Sequence, residues 1–374
     1  MEHGTLKYSF IGGRPSPEDF PVQGFIDAAA SILPTMGRKL VDYPVLGRQH
    51  DALRRVASQR FAHREKTPLP TENIIISEGS GGAISALTDY LTNPGDTIIT
   101  EQLTYMGSLN KFRSKELKIE GIETHPESGM DMNKLETTLK KLKSETRLPK
   151  FIYTIANYQN PTGAIIPHSN RIELISLSKK YHIPIIEDDC YGDIHLSPEP
   201  AEPTLYRLSG GTGVSYVASL SKLIGPGLRL GYVCIPEELN ELKSLGISNH
   251  ASGLASMIVA EYLENNLEEH IENHIKILTA KRDFIMELLK KELSDSCKWL
   301  KPRRGLFCWI ELPSTVNLSL LQKLAADQQV EYSPGSQFDV DEREIPYLRL
   351  SYTHMSFADI QEGIERLAKC LHSC

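Results

Sequence analysis

Short apolar runs alternate with stretches of helical spacing through the first two thirds of the chain, and few folds accept that order. Residues 74–77 (IIIS) form a β-branched run ending at Glu78-Gly79-Ser80-Gly81-Gly82. Over 83–91, Ile84, Leu87 and Leu91 then fall on one helical face. Asn93-Pro94-Gly95-Asp96 turns the chain into a second run at 97–100. The pattern returns with a strand at 151–156 (FIYTIA), a turn at Asn160-Pro161-Thr162-Gly163, and a helix over 171–181 with Ile172, Ile175 and Leu177 apolar. Further strands are expected at 183–187 and 214–220. Strands with so few polar positions need cover on both faces, so the expected core is a mostly parallel sheet between two helical layers, an α/β fold. From about residue 249 the texture changes. Residues 254–293 are helical by composition, and 305–312 (GLFCWIEL) and 347–352 (YLRLSY) read as strands, which predicts a smaller α+β domain.

Composition removes several alternatives. The chain has 374 residues, 40% hydrophobic and 24% charged, which is ordinary for a globular protein and rules out disorder and collagen-like repeats. The 48 acids against 41 Lys and Arg leave a net charge of −7, so no broad field for nucleic acid or anionic membrane is expected. No apolar run reaches the ~18 residues of a membrane-spanning helix, and MEHGTLKYSFIGG lacks the basic and long apolar regions of a secretory signal. The cysteines Cys190, Cys234, Cys297, Cys308, Cys370 and Cys374 show no CxxC spacing and read as reduced thiols of a cytoplasmic protein. Cys190 reads as packing inside its turn. The histidines form no HxH or HExxH pattern, and no metal site is expected.

In a sheet of this kind ligands sit at the carboxyl ends of the strands, and four polar segments stand there. Ser80-Gly81-Gly82 reads either as tight strand-to-helix packing or as backbone N–H groups arranged around an anion. Gln159-Asn160-Pro161-Thr162-Gly163, taken alone, reads as a turn. Glu187-Asp188-Asp189-Cys190-Tyr191 is open to three readings: a solvated strand end, a cluster with metal-ligand potential, or one carboxylate paired with a buried cation. Ser219-Leu220-Ser221-Lys222, followed by Gly225-Pro226-Gly227-Leu228-Arg229, sets a lysine among hydroxyls and an arginine. A desolvated lysine is a nucleophile toward carbonyls, and Ser219, Ser221 and Arg229 suit a phosphate. The four segments together describe one ligand with a phosphate, an aldehyde and a ring nitrogen that wants a carboxylate. That ligand is pyridoxal 5′-phosphate.

Seven motifs occur in order: SFIGGRPSPEDFP (9–21), YPVLG (43–47) with Leu53-Arg54 after it, EGSGGAISAL (78–87), QNPTG (159–163), EDDCYGD (187–193), SLSKLIGPGLRLG (219–231) and YLRLSY (347–352). With them the chain resembles the fold type I pyridoxal-phosphate enzymes. Among these it is similar to the class I and II aminotransferases of the branch holding 2-aminoadipate and aromatic aminotransferases and MocR-type regulators. The resemblance implies a three-layer α/β/α large domain over 36–248, a small α+β domain over 249–374, and an N-terminal segment, 1–35, that contributes to the small domain and the active site. It implies Lys222 as the Schiff-base lysine and proton shuttle, and Asp188 as the partner of the ring nitrogen, with Asp189 the less favoured neighbour. It implies Tyr191 and Asn160 at the ring hydroxyl, Ser80, Gly81, Ser219, Ser221 and Arg229 around the phosphate, and Tyr105 stacked on the ring. Tyr43 would reach the phosphate of a neighbouring subunit, which implies a homodimer with shared active sites. Arg349 would grip the substrate α-carboxylate, with Gly13 facing it.

Departures from the family pattern bear on substrate. Arg14 stands beside Gly13 where relatives usually carry an apolar residue, which suits either a distal substrate carboxylate or the surface. Gly81-Gly82 replaces a more usual Gln-Gln, and Arg303-Arg304 precedes Gly305 where a smaller residue is usual. Relatives carry a longer N-terminal segment, so 2-aminoadipate specificity is not carried over. The expected activity is a transfer of the amino group of an L-amino acid to a 2-oxo acid. A lyase, cyclase or oxidase on the same fold and a pyridoxal-phosphate-binding sensing domain are the alternatives.

Overall fold

The apolar runs become the strands of one sheet. The computed structural model describes residues 6–41, 50–125, 127–196, 199–245, 247–293, 296–302 and 305–374. Seven strands make the central sheet: β1 (Ile74–Glu78), β2 (Thr97–Glu101), β3 (Lys118–Ile122), β4 (Ile152–Thr154), β5 (Ile185–Asp188), β6 (Val214–Ser219) and β7 (Leu230–Cys234). Their order is β1-β7-β6-β5-β4-β2-β3. All neighbours are parallel except β7, which is antiparallel to both β1 and β6. The sequence patterning did not single out β7. Its direction follows from loop length: residues 220–229 are too few for the crossover of about a dozen residues that a parallel return requires.

Every residue of β4, β5, β6 and β7 is buried, which is why these strands read as continuous apolar runs rather than alternating ones. Alternation survives in which face each side chain meets. Ile74, Ile76, Ile185, Tyr216 and Ala218 join one core, with helices α1 (Val22–Met36), α2 (Asp51–Glu65), α5 (Met132–Ser144), α6 (His168–Tyr181), α7 (Leu205–Ser209) and the first part of α8 (Gly253–Glu292). Ile75, Tyr153, Ile186, Val217 and Val233 join the other, with α3 (Gly79–Leu91) and α4 (Met106–Ser114). The expected helix at 171–181 starts earlier, at His168, and its Ile172 is solvent-exposed while Leu174, Ile175 and Leu177 are buried.

A second sheet holds β8 (Lys298–Trp299), β9 (Phe307–Glu311), β10 (Ser333–Pro334) and β11 (Tyr347–Ser351) in the antiparallel order β8-β9-β11-β10. It shares a third core with α9 (Leu318–Asp327), α10 (Phe357–His372) and the far end of α8. Helix α8 has 40 residues and serves two cores: Val259, Leu263, Leu267 and Ile271 pack in the first, Ile285, Leu288 and Leu289 in the third. The N-terminal segment enters the third core through Tyr8 and Phe10, and Tyr8–Ser9 pairs with Val330–Glu331. Among the described residues no helix is long and apolar enough to cross a membrane, and all six cysteines are free thiols.

Two features hold the strand ends where ligands bind in such sheets. Gly231 of β7 lets the start of α3 lie directly on the sheet, since a Cβ there would meet Gly79 C and Ser80 N at 2.5 Å. Glu101, at the end of β2, is fully buried and accepts hydrogen bonds from Thr154 Oγ1 (2.5 Å), Ile155 N (3.0 Å) and Thr104 Oγ1 (3.1 Å). No cation pairs with it among the described residues, and burial pushes its carboxyl up to about 7.

A buried acid with a raised folded-state pKa binds its proton more tightly when folded. Its contribution is therefore full below the unfolded pKa of about 4.5 and is lost as pH rises through about 7. Glu101→Gln keeps the shape and removes the titration. Thermal unfolding at pH values spanning that window is expected to show a loss on the order of 3 kcal/mol in the native protein and a flatter profile in the variant.

Candidate active site

The predicted site residues that lie among the described ones gather near the carboxyl edge of the central sheet. Lys222 follows β6, and its Nζ donates to Gly13 O at 2.5 Å. Burial pushes the Lys222 ammonium down; the Cys190 thiol and the charged groups Arg349, Asp188 and Arg14 are its neighbours. Three distant parts of the chain therefore surround one amine.

The three consecutive acids have three different fates. Glu187 accepts from the backbone N–H of Leu205 (2.8 Å) and Tyr206 (2.9 Å) at the start of α7. Asp189 accepts from Arg64 Nη2 (2.5 Å), Tyr216 Oη (2.9 Å) and Asn157 Nδ2 (3.0 Å). Asp188 accepts from Tyr153 Oη at 2.6 Å through Oδ2, while Oδ1 is buried with no partner. Burial pushes the Asp188 carboxyl up, and Cys190 and Tyr153 hold it down. Asp189 is saturated, so Asp188 is the acid with an acceptor to offer.

Asn160 lies in a turn with a cis Asn160-Pro161 bond. It links two other site residues: its Nδ2 donates to Tyr191 Oη (3.1 Å), and its Oδ1 accepts from Arg349 Nη1 (2.7 Å). Burial pushes the Tyr191 phenol well up, so it keeps its proton at neutral pH. Arg349, on β11, also donates through Nη2 to Ile11 O (2.5 Å) and Ser333 Oγ (3.2 Å). Its guanidinium lies 4.1 Å from the Phe307 ring centroid and 4.8 Å from that of Phe338, which fixes its plane. Burial lowers it to about 10, so it stays charged at neutral pH. Of the five N–H donors of an arginine these contacts use three, and Nε is buried without a partner.

The start of α3 forms the other end of the site. Gly79 adopts φ +66, a conformation that favours glycine, and the Arg229 guanidinium lies within 3.4 Å of where its Cβ would stand. Arg229 is itself left-handed (φ 53) and half-exposed, 3.7 Å from Glu78 Oε1. Ser80 lies against the Cys190 thiol, and Ser219 Oγ accepts from Ser221 N at 3.1 Å. The space left by the missing side chain at Gly81 is taken by Lys111, which passes within 3.4 Å and donates to Ser85 Oγ at 3.0 Å. Tyr105 caps α4, folds over Gly107, and stands near the Cys190 thiol and the charged groups Asp188, Arg349 and Arg229. Arg14 has its Nε buried without a partner. Tyr43, Arg303 and Arg304 lie outside the described residues.

These residues fit pyridoxal phosphate. A buried unpaired carboxylate oxygen suits the ring nitrogen, a neighbouring amine suits the aldehyde, and backbone N–H groups with Arg229 suit the phosphate. Sequence reasoning missed Tyr153, Arg64, Phe307, Phe338 and Lys111. Their apolar or helical settings carried no signal, because their roles appear only across strands and between helices.

Comparison with known proteins places the chain in a family. The family model for class I and II aminotransferases matches residues 23–367. The chain is similar to aromatic-amino-acid aminotransferase 1 of Thermococcus litoralis, at 30% identity over 97% of this chain and 87% of that one. It is similar to the 2-aminoadipate transaminase of Thermus thermophilus at 30% identity, over 97% and 89%. Its fold is similar to that of LysN, the α-aminoadipate aminotransferase of Thermus thermophilus solved with N-(5′-phosphopyridoxyl)-L-leucine. The TM-score is 0.88 at 28% identity, covering 100% of this chain and 95% of the other. In sequence and in fold alike, the chain belongs to the class I and II aminotransferases.

Proposed function

We propose that the protein moves the amino group of an L-amino acid to a 2-oxo acid in a ping-pong cycle dependent on pyridoxal phosphate. The observation that carries this reading is the convergence of Lys222, Asp188 and Arg349 on one buried space, with Asp188 Oδ1 unpaired. When bound, pyridoxal phosphate supplies a carbonyl carbon that condenses with amines and a protonated ring that takes up the electron pair left at the substrate Cα.

The chain's own residues do the rest. Asp188 holds the ring nitrogen, and Asn160 and Tyr191 hold the ring hydroxyl. Tyr105 covers a ring face, and Ser80, Gly81, Ser219, Ser221 and Arg229 hold the phosphate at the start of α3. Lys222 anchors the cofactor through Nζ. Its amine would also serve as the base that takes the Cα proton, a task suited to an amine whose charged form burial disfavours. Arg349 binds the substrate carboxylate with its remaining N–H groups, its plane held by two phenyl rings, and so orients the Cα–H bond. Gly13 fits against Phe307, where a Cβ would meet the ring at 2.5 Å, and keeps the N-terminal segment close over the amine. Arg14, with a buried Nε lacking any partner and a charge felt at Lys222, receives a distal carboxylate of a dicarboxylic substrate.

A homodimer with shared sites belongs to the same reading. Val22, Ile26 and Leu33 form an exposed apolar stripe on α1, continued by Leu40 and Val41, and a second copy of the chain would cover it. Tyr43 reaching the phosphate of the neighbouring subunit remains part of this proposal. The free thiols support a reducing, cytoplasmic compartment.

The test is a half-reaction: amino acids added singly to holoenzyme, without a 2-oxo acid. Recovery of pyridoxamine phosphate and the matching 2-oxo acid is the expected result, whereas release of ammonia or carbon dioxide would replace transamination with a lyase reading. Lys222→Ala is expected to abolish borohydride fixation of the cofactor to the chain, and fixation at unchanged stoichiometry would remove Lys222 from its role. Arg349→Ala is expected to raise KM for amino acids generally by ~10–100-fold, the range for hydrogen bonds to a charged group. Arg14→Ala is expected to impair dicarboxylic substrates while sparing monocarboxylic ones; equal losses for both would place Arg14 outside the side-chain pocket.

A further inference from the structure

The two oxygens of Asp188 differ because of a residue outside every motif. Tyr153 stands in β4, beside β5, and is completely buried. Its Oη donates to Asp188 Oδ2 at 2.6 Å and accepts from Ser108 Oγ of α4 at 3.0 Å. Its ring meets Phe112 of the same helix edge-on, centroids 5.4 Å apart. A phenol has one hydrogen. With Ser108 donating to the phenol oxygen, that hydrogen goes to Asp188.

Two consequences follow. Oδ2 is committed as an acceptor, so a proton placed there would displace the phenol. Oδ1 is buried with no hydrogen-bond partner, and a carboxylate whose second oxygen is pinned cannot rotate to satisfy it elsewhere. The support also reaches the far side of the ring site, since α4 carries Ser108 in its first turn and Tyr105 at its cap.

We infer that Tyr153, held by Ser108, is a positioning residue that fixes Asp188 as an acceptor and turns its open Oδ1 toward the ring nitrogen of the cofactor. Helix α4 thereby couples the residue that covers the ring to the one that keeps the ring protonated. This rests on the proposed pairing of Asp188 with the ring nitrogen.

The experiment measures two quantities on holoenzyme. One is the dissociation constant of pyridoxal phosphate. The other is the nitrogen NMR signal of enzyme loaded with ring-nitrogen-labelled cofactor. Tyr153→Phe is expected to weaken cofactor binding about 10-fold, the lower end for losing a hydrogen bond to a charged group, and to move the ring nitrogen toward its unprotonated signal. Ser108→Ala is expected to move both readouts the same way by less. In an Asp188→Asn background, Tyr153→Phe is expected to add no further change to either. A lowered melting temperature with both readouts unchanged would make Tyr153 purely structural and overturn the inference. If Tyr153→Phe does not fold, unchanged readouts in Ser108→Ala overturn it equally. Asp188→Asn separates the two levels. If that variant alone leaves affinity and nitrogen signal intact, the Asp188 pairing itself fails. If it changes them while Tyr153→Phe does not, only the role of Tyr153 fails.

Discussion

Three consecutive carboxylates buried at the end of one strand are the constraint around which the pocket is arranged. An ionised carboxylate taken from water without compensation costs several kcal/mol, so Glu187, Asp188 and Asp189 each need partners. Strand geometry sends Glu187 and Asp189 to one side of the sheet and Asp188 to the other. On the first side the start of α7 supplies two backbone N–H groups to Glu187, and α2 delivers Arg64 to Asp189. On the second side, among Ile186, Val217 and Tyr153, Asp188 receives the Tyr153 phenol, lies beside Cys190 and keeps Oδ1 without a hydrogen-bond partner. The same parity that stabilises the strand end thus separates the supporting acids from the working one.

The cations around that oxygen are treated in the opposite way. Asp188 raises the proton affinity of Lys222, but burial and the charges of Arg349 and Arg14 depress it, with burial the largest influence. Arg349 is flanked by two aromatic rings and bound to Asn160, Ile11 and Ser333, an arrangement that gives its charge direction while leaving N–H groups free. A pocket with a buried amine, an unpaired guanidinium nitrogen and an open carboxylate oxygen is incomplete by itself. Anionic groups of a cofactor and a substrate would complete its charge balance, which is a physical reason for such a site to be occupied when it works.

Closure of the pocket comes from residues far away in the chain. The N-terminal segment offers its backbone carbonyls in turn: Ile11 to Arg349, Gly12 to Ser351, Gly13 to Lys222 and Arg14 to Thr353. Lys281, buried on α8, donates to Ser16 Oγ and to the carbonyls of Thr353 and Met355, tying that segment to the turn after β11. Arg14 therefore stands beside the amine because its backbone is fastened there, and its side-chain Nε is buried with no partner.

Much of this was legible in the chain itself. The run 74–77 and the strands near 151, 183 and 214 appear within a few residues of their expected places, since burial on both faces demands continuous apolar residues. Lys222, Asp188 and Arg229 stand out because polar groups following such strands are locally conspicuous, whereas Asn160, Tyr191 and Arg349 are marked by the resemblance of their motifs. Other features had no local mark. Tyr153 looked like one more apolar strand residue, the antiparallel course of β7 depended on a loop length, and the exposure of Ile172 depended on where α6 packs. The sequence by itself determined the strand-and-helix order and the kinds of chemistry at the strand ends, because periodicity and residue type are local properties. Only the tertiary structure decided that Asp188 and not Asp189 is left with an open oxygen, because that depends on which neighbouring strands and helices bring donors within hydrogen-bond reach.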